Sequence, residues 1–145
     1  MDLRAMVVDD SGIMRKLVMR SLVESKLADF MFTEACDGRD ALTKFDPSSI
    51  DILFVDWNMP NMSGIELVRA IRSSQKHHVP IVMVTTEGTM GRVEEALDQC
   101  GVDSYIVKPF TSDIVRQKLE PLFSQMAEAR KKPDGFFGKL AQKYA

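Results

Sequence analysis

Asp9 and Asp10 follow the apolar run Leu3-Arg4-Ala5-Met6-Val7-Val8. Asp56 follows Ile52-Leu53-Phe54-Val55, and Lys108 follows Tyr105-Ile106-Val107. Short apolar runs of this kind read as buried strands. In a parallel α/β sheet their ends meet at one edge, where open sheets place their sites. Three carboxylates gathered there repel one another unless a cation stands between them. An oxygen-seeking divalent ion, Mg²⁺ before others, answers that need. The spacing therefore predicts an acidic metal pocket of Asp9, Asp10 and Asp56 with a lysine at its rim. Asp56 is the candidate reacting group, because a charge ending so apolar a run is costly to hold without a use. A carboxylate can attack a phosphoryl group to give an aspartyl phosphate, and an adjacent metal would neutralise phosphoryl charge and align the attack. Lys108 would hold a phosphoryl oxygen as a point charge, and the Lys108-Pro109 bond is one that can be cis. A hydroxyl of Thr85-Thr86, ending a fourth apolar run, could donate to the same oxygen.

Each residue also has a plainer reading. Asp9-Asp10 could cap a helix, Asp56 could cap a strand end, and Lys108 could be a surface lysine. Thr85-Thr86 could be ordinary β-branched strand residues. Tyr105 could be half-exposed packing or a movable rotamer, and the residues leave that open. The second strand-end aspartate and the strand-end lysine tilt the balance toward a pocket.

The elements that must position these groups alternate five times. Strands are expected at 3–8, Phe30–Ala35, Ile50–Val55, Ile81–Thr85 and Ser104–Val107. A helix from Gly12 to about Ser25 places Met14, Leu17, Val18 and Leu22 on one face. A short helix follows from Gly38 to Phe45, with Ala41, Leu42 and Phe45 inward. Asn58-Met59-Pro60-Asn61-Met62-Ser63-Gly64 reads as a loop. The next helix reaches about Ser73 with Leu67, Val68 and Ile71 inward, and His77-His78-Val79-Pro80 is a connector. A helix from Thr89 to Gln99 ends at Cys100-Gly101, where glycine suits a left-handed cap. The last helix, from Thr111 to about Met126, carries Val115, Leu119 and Leu122, and Pro121 should kink or interrupt it. Strand–helix alternation implies a three-layer α/β sandwich on a parallel sheet. Bringing the first, third and fifth strand ends together favours the flavodoxin-like order 2-1-3-4-5.

The 145 residues, 45% hydrophobic and 28% charged, suit one core. A net charge of −2 exerts no pull toward nucleic acid or membrane. Residues 124–145 hold five basic and two acidic side chains, so this segment is +3 and the remainder −5. Cys36 and Cys100 lack metal-ligand or CxxC spacing and read as small core residues. The chain opens on a strand with no charged-then-apolar leader. No apolar run approaches the roughly 18–20 residues of a membrane span. The expectation is a cytoplasmic protein without stable membrane insertion.

Asp9-Asp10, Asp56, Thr85 and Lys108-Pro109-Phe110 resemble the signature of response-regulator receiver domains. The run Asp56-Trp57-Asn58-Met59-Pro60-Asn61-Met62 followed by Gly64, with Val84-Thr85 and Tyr105, closely resembles the chemotaxis regulators of that family. The likeness covers roughly residues 3–123. It implies a stand-alone two-component regulator, not a turnover enzyme, that takes phosphate from a histidine kinase onto Asp56. Asp10, Asp56 and the backbone carbonyl of Asn58 would bind Mg²⁺ directly, with Asp9 acting mainly through water. Lys108 would bridge to the phosphoryl group, Thr85 would move toward it, and Tyr105 would turn inward. The output face across residues 90–123 would then change its affinity for a flagellar switch or other output protein. Asn58 and Glu87 occupy positions that tune phosphate loss, and an auxiliary phosphatase would be a further partner. A monomer without a nucleic-acid partner is implied. Ser63 departs from the pattern, standing where an acidic residue often precedes the glycine. Ser11 and Gly12 are small where near relatives carry a larger residue. The alternative on the same site is a phosphorelay intermediate or phosphate sink. A metal-dependent phosphatase with an aspartate nucleophile is disfavoured, because its usual second Asp is here Asn58. A flavin site is weaker still, because Asp-Asp in the first turn would repel a flavin phosphate.

The receiver is expected over residues 1–124, with an extension over 125–145. Lys132-Pro133-Asp134-Gly135 is the clearest break in the chain. Beyond it Phe136, Leu140 and Tyr144 recur every four residues, as in a short amphipathic helix. That segment is either a mobile terminus or a docking segment for another protein or for the chain's own output face.

Overall fold

The computed structural model describes residues 1–74 and 78–131. The chain alternates β1 (Asp2–Val8), α1 (Gly12–Ser25), β2 (Asp29–Ala35), α2 (Gly38–Lys44), β3 (Ile52–Val55), α3 (Gly64–Ser74), β4 (Ile81–Thr85), α4 (Met90–Glu94), β5 (Ser104–Val107) and α5 (Ser112–Lys131). The five strands form one sheet in the order 2-1-3-4-5, and every pairing is parallel. The tail residues 132–145, with their Pro133-Asp134-Gly135 break and amphipathic pattern, and His77 of the connector lie outside the described residues.

Alternation along the strands splits the core into two layers. Met6, Val8, Leu53, Val55, Ile81, Met83 and Tyr105 face one side, where α2 supplies Ala41, α3 supplies Leu67, Val68 and Ile71, and the turn after α4 supplies Ala96. Leu3, Ala5, Val7, Ile52, Phe54, Val82, Val84 and Ile106 face the other, closed by Val18 and Leu22 of α1 and by Val115, Leu119 and Phe123 of α5. β3 and β4 are buried throughout, as strands covered on both faces must be. Leu17, expected on the inward stripe of α1, is instead 45% exposed. The buried α1 positions Val18, Leu22 and Ser25 follow the i, i+4, i+7 line, and Leu17 lies at its margin.

Two helices depart from the simple pattern. The fourth narrows to one α-helical turn and continues as a π-helix over Glu95–Gln99. Its wide register appears in Cys100 N–H donating to the Glu95 carbonyl and Val102 N–H to the Ala96 carbonyl. Ala96 and Cys100, four residues apart, are both buried. Gly101 then takes φ +78°, the left-handed cap expected of it. Of the kink or interruption expected at Pro121, the interruption does not occur, and α5 runs through it to Lys131. Pro121 is exposed, so its ring meets no packed neighbour. The lost N–H costs one helical bond, while Leu119 and Phe123 on either side stay buried and hold the helix to the sheet. Arg130 pins its end, donating to the Asp2 carbonyl at 2.7 Å and lying 3.5 Å from Asp51.

Candidate functional site

Strand register assembles the site. Val8 of β1 lies beside Val55 of β3, so the residues that follow, Asp9 and Asp56, leave the sheet together. Asp9 N–H donates to the Ala35 carbonyl at 3.1 Å, and Asp56 N–H to the Val8 carbonyl at 2.9 Å. Thr85 of β4 pairs with Val107 of β5, and Lys108 N–H donates to the Thr85 carbonyl at 2.8 Å. The Lys108-Pro109 bond is cis. Asp9, Asp10 and Asp56 each offer a carboxylate oxygen within 4.8 Å of the others. The Lys108 ammonium reaches in from β5, 2.7 Å from Asp9 Oδ2 and 3.4 Å from Asp56 Oδ2. Its side chain is 9% exposed and that of Asp9 is 4% exposed.

The two buried carboxylates are held differently. Asp9 Oδ1 accepts the Ser11 N–H at 2.9 Å. Ser11 in turn caps α1, its hydroxyl accepting from Met14 N–H at 3.2 Å. Asp56 Oδ1 accepts the N–H of Trp57 at 2.7 Å, and its second oxygen faces Lys108. Asp10 is exposed. The donor set is all oxygen and anionic, the chemistry that hard divalent cations take and soft metals do not. These residues therefore fit a Mg²⁺-class ion.

The floor of the pocket depends on one close approach. Gly64 N–H donates to the Trp57 carbonyl at 2.8 Å, and a Cβ on Gly64 would stand 2.0 Å from the Asp56 carbonyl oxygen. Only glycine lets the β3–α3 loop fold back there. The loop is moored to α2 by Asn61, at φ 66°, whose amide donates to Asp37 Oδ2 at 2.8 Å. Asp37 is held below the usual carboxylate range, chiefly by the Asp40 N–H and then by the Asn61 amide.

Thr85 is fully buried beneath the site, and its hydroxyl accepts the Glu87 N–H at 3.4 Å. Thr86 is exposed, so the second hydroxyl does not share that place. The amide of Asn58 donates to Glu87 Oε1 at 2.9 Å, joining the two positions expected to tune phosphate loss across the pocket mouth. Tyr105 is buried with its hydroxyl donating to the Glu87 carbonyl. The ring therefore already lies inward in this structure. Burial, and then the Glu87 charge, pushes its phenol up to about 12.

Three contributors escaped the sequence reading. Arg15 donates from Nη1 to the Asp9 carbonyl at 2.7 Å and from Nε to Glu34 at 2.9 Å, bracing the strand end against β2. Its only signal was a basic residue one helical turn beyond Ser11. Arg92 lies over the Trp57 ring, 4.9 Å from its centroid, linking the residue after Asp56 to α4. Trp57 itself is 6% exposed and packs with α3 and α4. Nothing in the spacing of Trp57 and Arg92 marked that contact.

A doubly wound parallel sheet with three carboxylates and a lysine at its carboxyl edge defines a class of phosphate-handling receiver. The family model for the response regulator receiver domain matches residues 5–120, and the chain belongs to that family, within it to the CheY type. It is 38% identical to the chemotaxis protein CheY of Pseudomonas aeruginosa over 128 residues, 86% of this chain and 98% of the relative. It is 41% identical to CheY1 of Helicobacter pylori over 120 residues, 81% and 94% of the two chains. The structure superposes on CheY4 of Vibrio cholerae with a TM-score of 0.71 at 33% identity, covering 83% of this chain and 98% of the other. It also superposes on a CheX–CheY–BeF₃–Mg²⁺ complex from Borrelia burgdorferi with a TM-score of 0.74 at 27% identity, covering 83% and 89%. Among the described residues no helix is long and apolar enough to cross a membrane.

Proposed function

We propose that the chain is a chemotaxis response regulator whose Asp56 accepts a phosphoryl group from a histidine kinase. The observation that carries this is the meeting of Asp9, Asp10 and Asp56 within 4.8 Å with Lys108 3.4 Å from the Asp56 carboxylate. Asp9, Asp10, Asp56 and the Asn58 carbonyl would hold Mg²⁺, which when bound supplies charge neutralisation for the incoming phosphoryl oxygens. Asp56 Oδ attacks phosphorus, a P–O bond forms, and the P–N bond to the donor histidine breaks, returning the pair to its imidazole. Asp56 Oδ1 is pinned by the Trp57 N–H, which leaves Oδ2 as the attacking atom. Lys108 then exchanges a carboxylate partner for a phosphoryl oxygen. In this reading the chain turns over no external substrate beyond gaining and losing its own phosphate.

The new charge and acceptor oxygens give Lys108 and the Thr85 hydroxyl partners present in one state only. Thr85 is linked through Glu87 to Tyr105, and Tyr105 lines a groove of about 270 Å³ with Val93, Leu97, Val107 and Lys118. That chain of contacts supports an output face across 90–123, with the flagellar switch as its partner and a phosphatase acting at the Asn58–Glu87 mouth. The receiver would occupy residues 1–124 and the extension 125–145. The names of the relatives favour chemotaxis over a relay or phosphate sink. Purified switch protein and a histidine phosphotransfer protein separate the two. Phosphorylation-dependent binding to the switch without back-transfer is expected, and rapid return of phosphate to histidine with no switch binding would reverse the reading.

A further inference from the structure

Arg15 stands in the first turn of α1, where its N–H donates to the Ser11 carbonyl at 3.0 Å, and its side chain turns back over the β1–α1 loop. Nη1 donates to the Asp9 carbonyl at 2.7 Å and Nε to Glu34 Oε1 at 2.9 Å. A Cβ on Gly12 would stand 3.3 Å from Arg15 Nη2, so the small residue there leaves the guanidinium its place. The guanidinium is a planar, rigid fork, and its two partners belong to the end of β1 and to β2. Its side chain is 19% exposed, which limits the access of water to both bonds.

The carbonyl that Arg15 holds lies between two expected metal ligands. The Asp9 carbonyl and the Asp10 N–H share one peptide plane, so a bond to that carbonyl fixes the plane joining the two carboxylates. The rest of Asp9 is already committed. Its N–H donates to the Ala35 carbonyl at 3.1 Å, Oδ1 accepts from Ser11 N–H at 2.9 Å, and Oδ2 accepts from Lys108 at 2.7 Å. Asp10 is exposed, so the direction of its carboxylate is set by the backbone that carries it.

We infer that Arg15 is a positioning residue for the divalent cation: through the Asp9–Asp10 peptide it aims the exposed Asp10 carboxylate at the ion. This rests on the receiver reading of the pocket. Glu34 completes the arrangement. A lone guanidinium beside a cation site would repel the ion. The Glu34 carboxylate, 2.9 Å from Arg15 Nε, offsets that charge and holds the fork in its plane. Arg15 acts through the peptide, so its effect falls on cation affinity and not on the attack by Asp56.

Mg²⁺ titrations of the full chain, read by Trp57 fluorescence, test this. Arg15→Met keeps the stem and removes both bonds and the charge. Its Mg²⁺ dissociation constant should rise about tenfold, the low end for losing a partner behind a metal ligand. Charge alone predicts the reverse, since removing one cation tightens the hold on another. Arg15→Lys keeps the charge without the fork and should also bind Mg²⁺ more weakly than the unaltered chain. In both variants the rate of adduct formation from acetyl phosphate should fall where Mg²⁺ is limiting and return to the unaltered value at saturating Mg²⁺. Without Mg²⁺, the Ser11 amide of Arg15→Met should lose protection from hydrogen exchange. Equal or tighter Mg²⁺ binding by Arg15→Met, a loss of thermal stability with affinity unchanged, or a rate that stays low at saturating Mg²⁺ would each overturn the assignment. An unaltered chain that binds no Mg²⁺ would overturn the receiver reading with it, whereas normal binding by that chain and by both variants removes the role of Arg15 alone.

Discussion

Replacing Lys108 with methionine keeps the aliphatic stem and removes the one ammonium between Asp9 and Asp56. At 2.7 and 3.4 Å with an effective dielectric of about 20, the gross attractions are about 6 and 5 kcal/mol. Most of that is offset by the solvation the lysine gives up on burial. The net loss on breaking such a pair is about 3–5 kcal/mol, and the low end applies because exposed Asp10 opens the pocket to water. With a urea slope of about 2 kcal/mol/M, the denaturation midpoint should fall by about 1.5 M in chelator. Saturating Mg²⁺ replaces the missing cation, so most of the difference should vanish. The same substitution should tighten Mg²⁺ binding. A +1 charge about 5 Å from a +2 charge costs about 1.7 kcal/mol even at the dielectric of water, more than tenfold in affinity. Phosphorylation should nonetheless slow, because the phosphoryl oxygen loses its point charge. Urea melts with and without Mg²⁺, and a Mg²⁺ titration read by Trp57 fluorescence, measure both effects. An equal loss of stability in the two conditions, or weaker Mg²⁺ binding, would refute the claim that Lys108 occupies the cation's electrostatic place.

Three further outcomes follow from the geometry. In a Tyr144→Phe background, absorbance titration should find Tyr105 ionising near 12 instead of about 10. Because its folded value is raised, the stabilisation is complete below pH about 10 and lost as pH climbs toward 12, and a midpoint near 10 would place the ring in solvent. Gly64→Ala must move the Asp56 carbonyl, 2.0 Å from the added carbon, so it should destabilise the fold by about 3 kcal/mol and depress adduct formation. Thermal melts and intact mass read the two effects. Arg92→Ala removes the cation over Trp57 at 4.9 Å. It should cost about 0.5–1 kcal/mol and shift the emission of the only tryptophan in the chain, whereas an unchanged spectrum would show the contact absent in solution.

The strand ends were legible because a charge after a buried apolar run is expensive, and five such runs alternating with helical stripes leave few topologies. Asp9, Asp10, Asp56 and Lys108 converge as their positions predicted, and the sheet order is the one that brings them together. The π-turn over Glu95–Gln99 was not legible, since Ala96 and Cys100 stand at the i, i+4 spacing that an α-helix also buries. Pro121 predicts a kink or interruption from local propensity alone, and α5 is uninterrupted there because Leu119 and Phe123 on either side are buried against the sheet. Arg15 and Arg92 act across elements, on the Asp9 carbonyl and the Trp57 ring, and sequence distance carries no sign of either contact. The inward rotamer of Tyr105 likewise depends on the Glu87 carbonyl, which only the folded β4–α4 loop presents.

The central claim is that Asp56 is the phosphoacceptor. It is tested most directly by incubating the protein with Mg²⁺ and acetyl phosphate or phosphoramidate, then measuring intact mass beside Asp56→Asn. The account predicts one labile phosphoryl adduct that needs Mg²⁺ and is absent from the variant. No adduct despite Mg²⁺ binding, or an adduct that survives in Asp56→Asn, would contradict it.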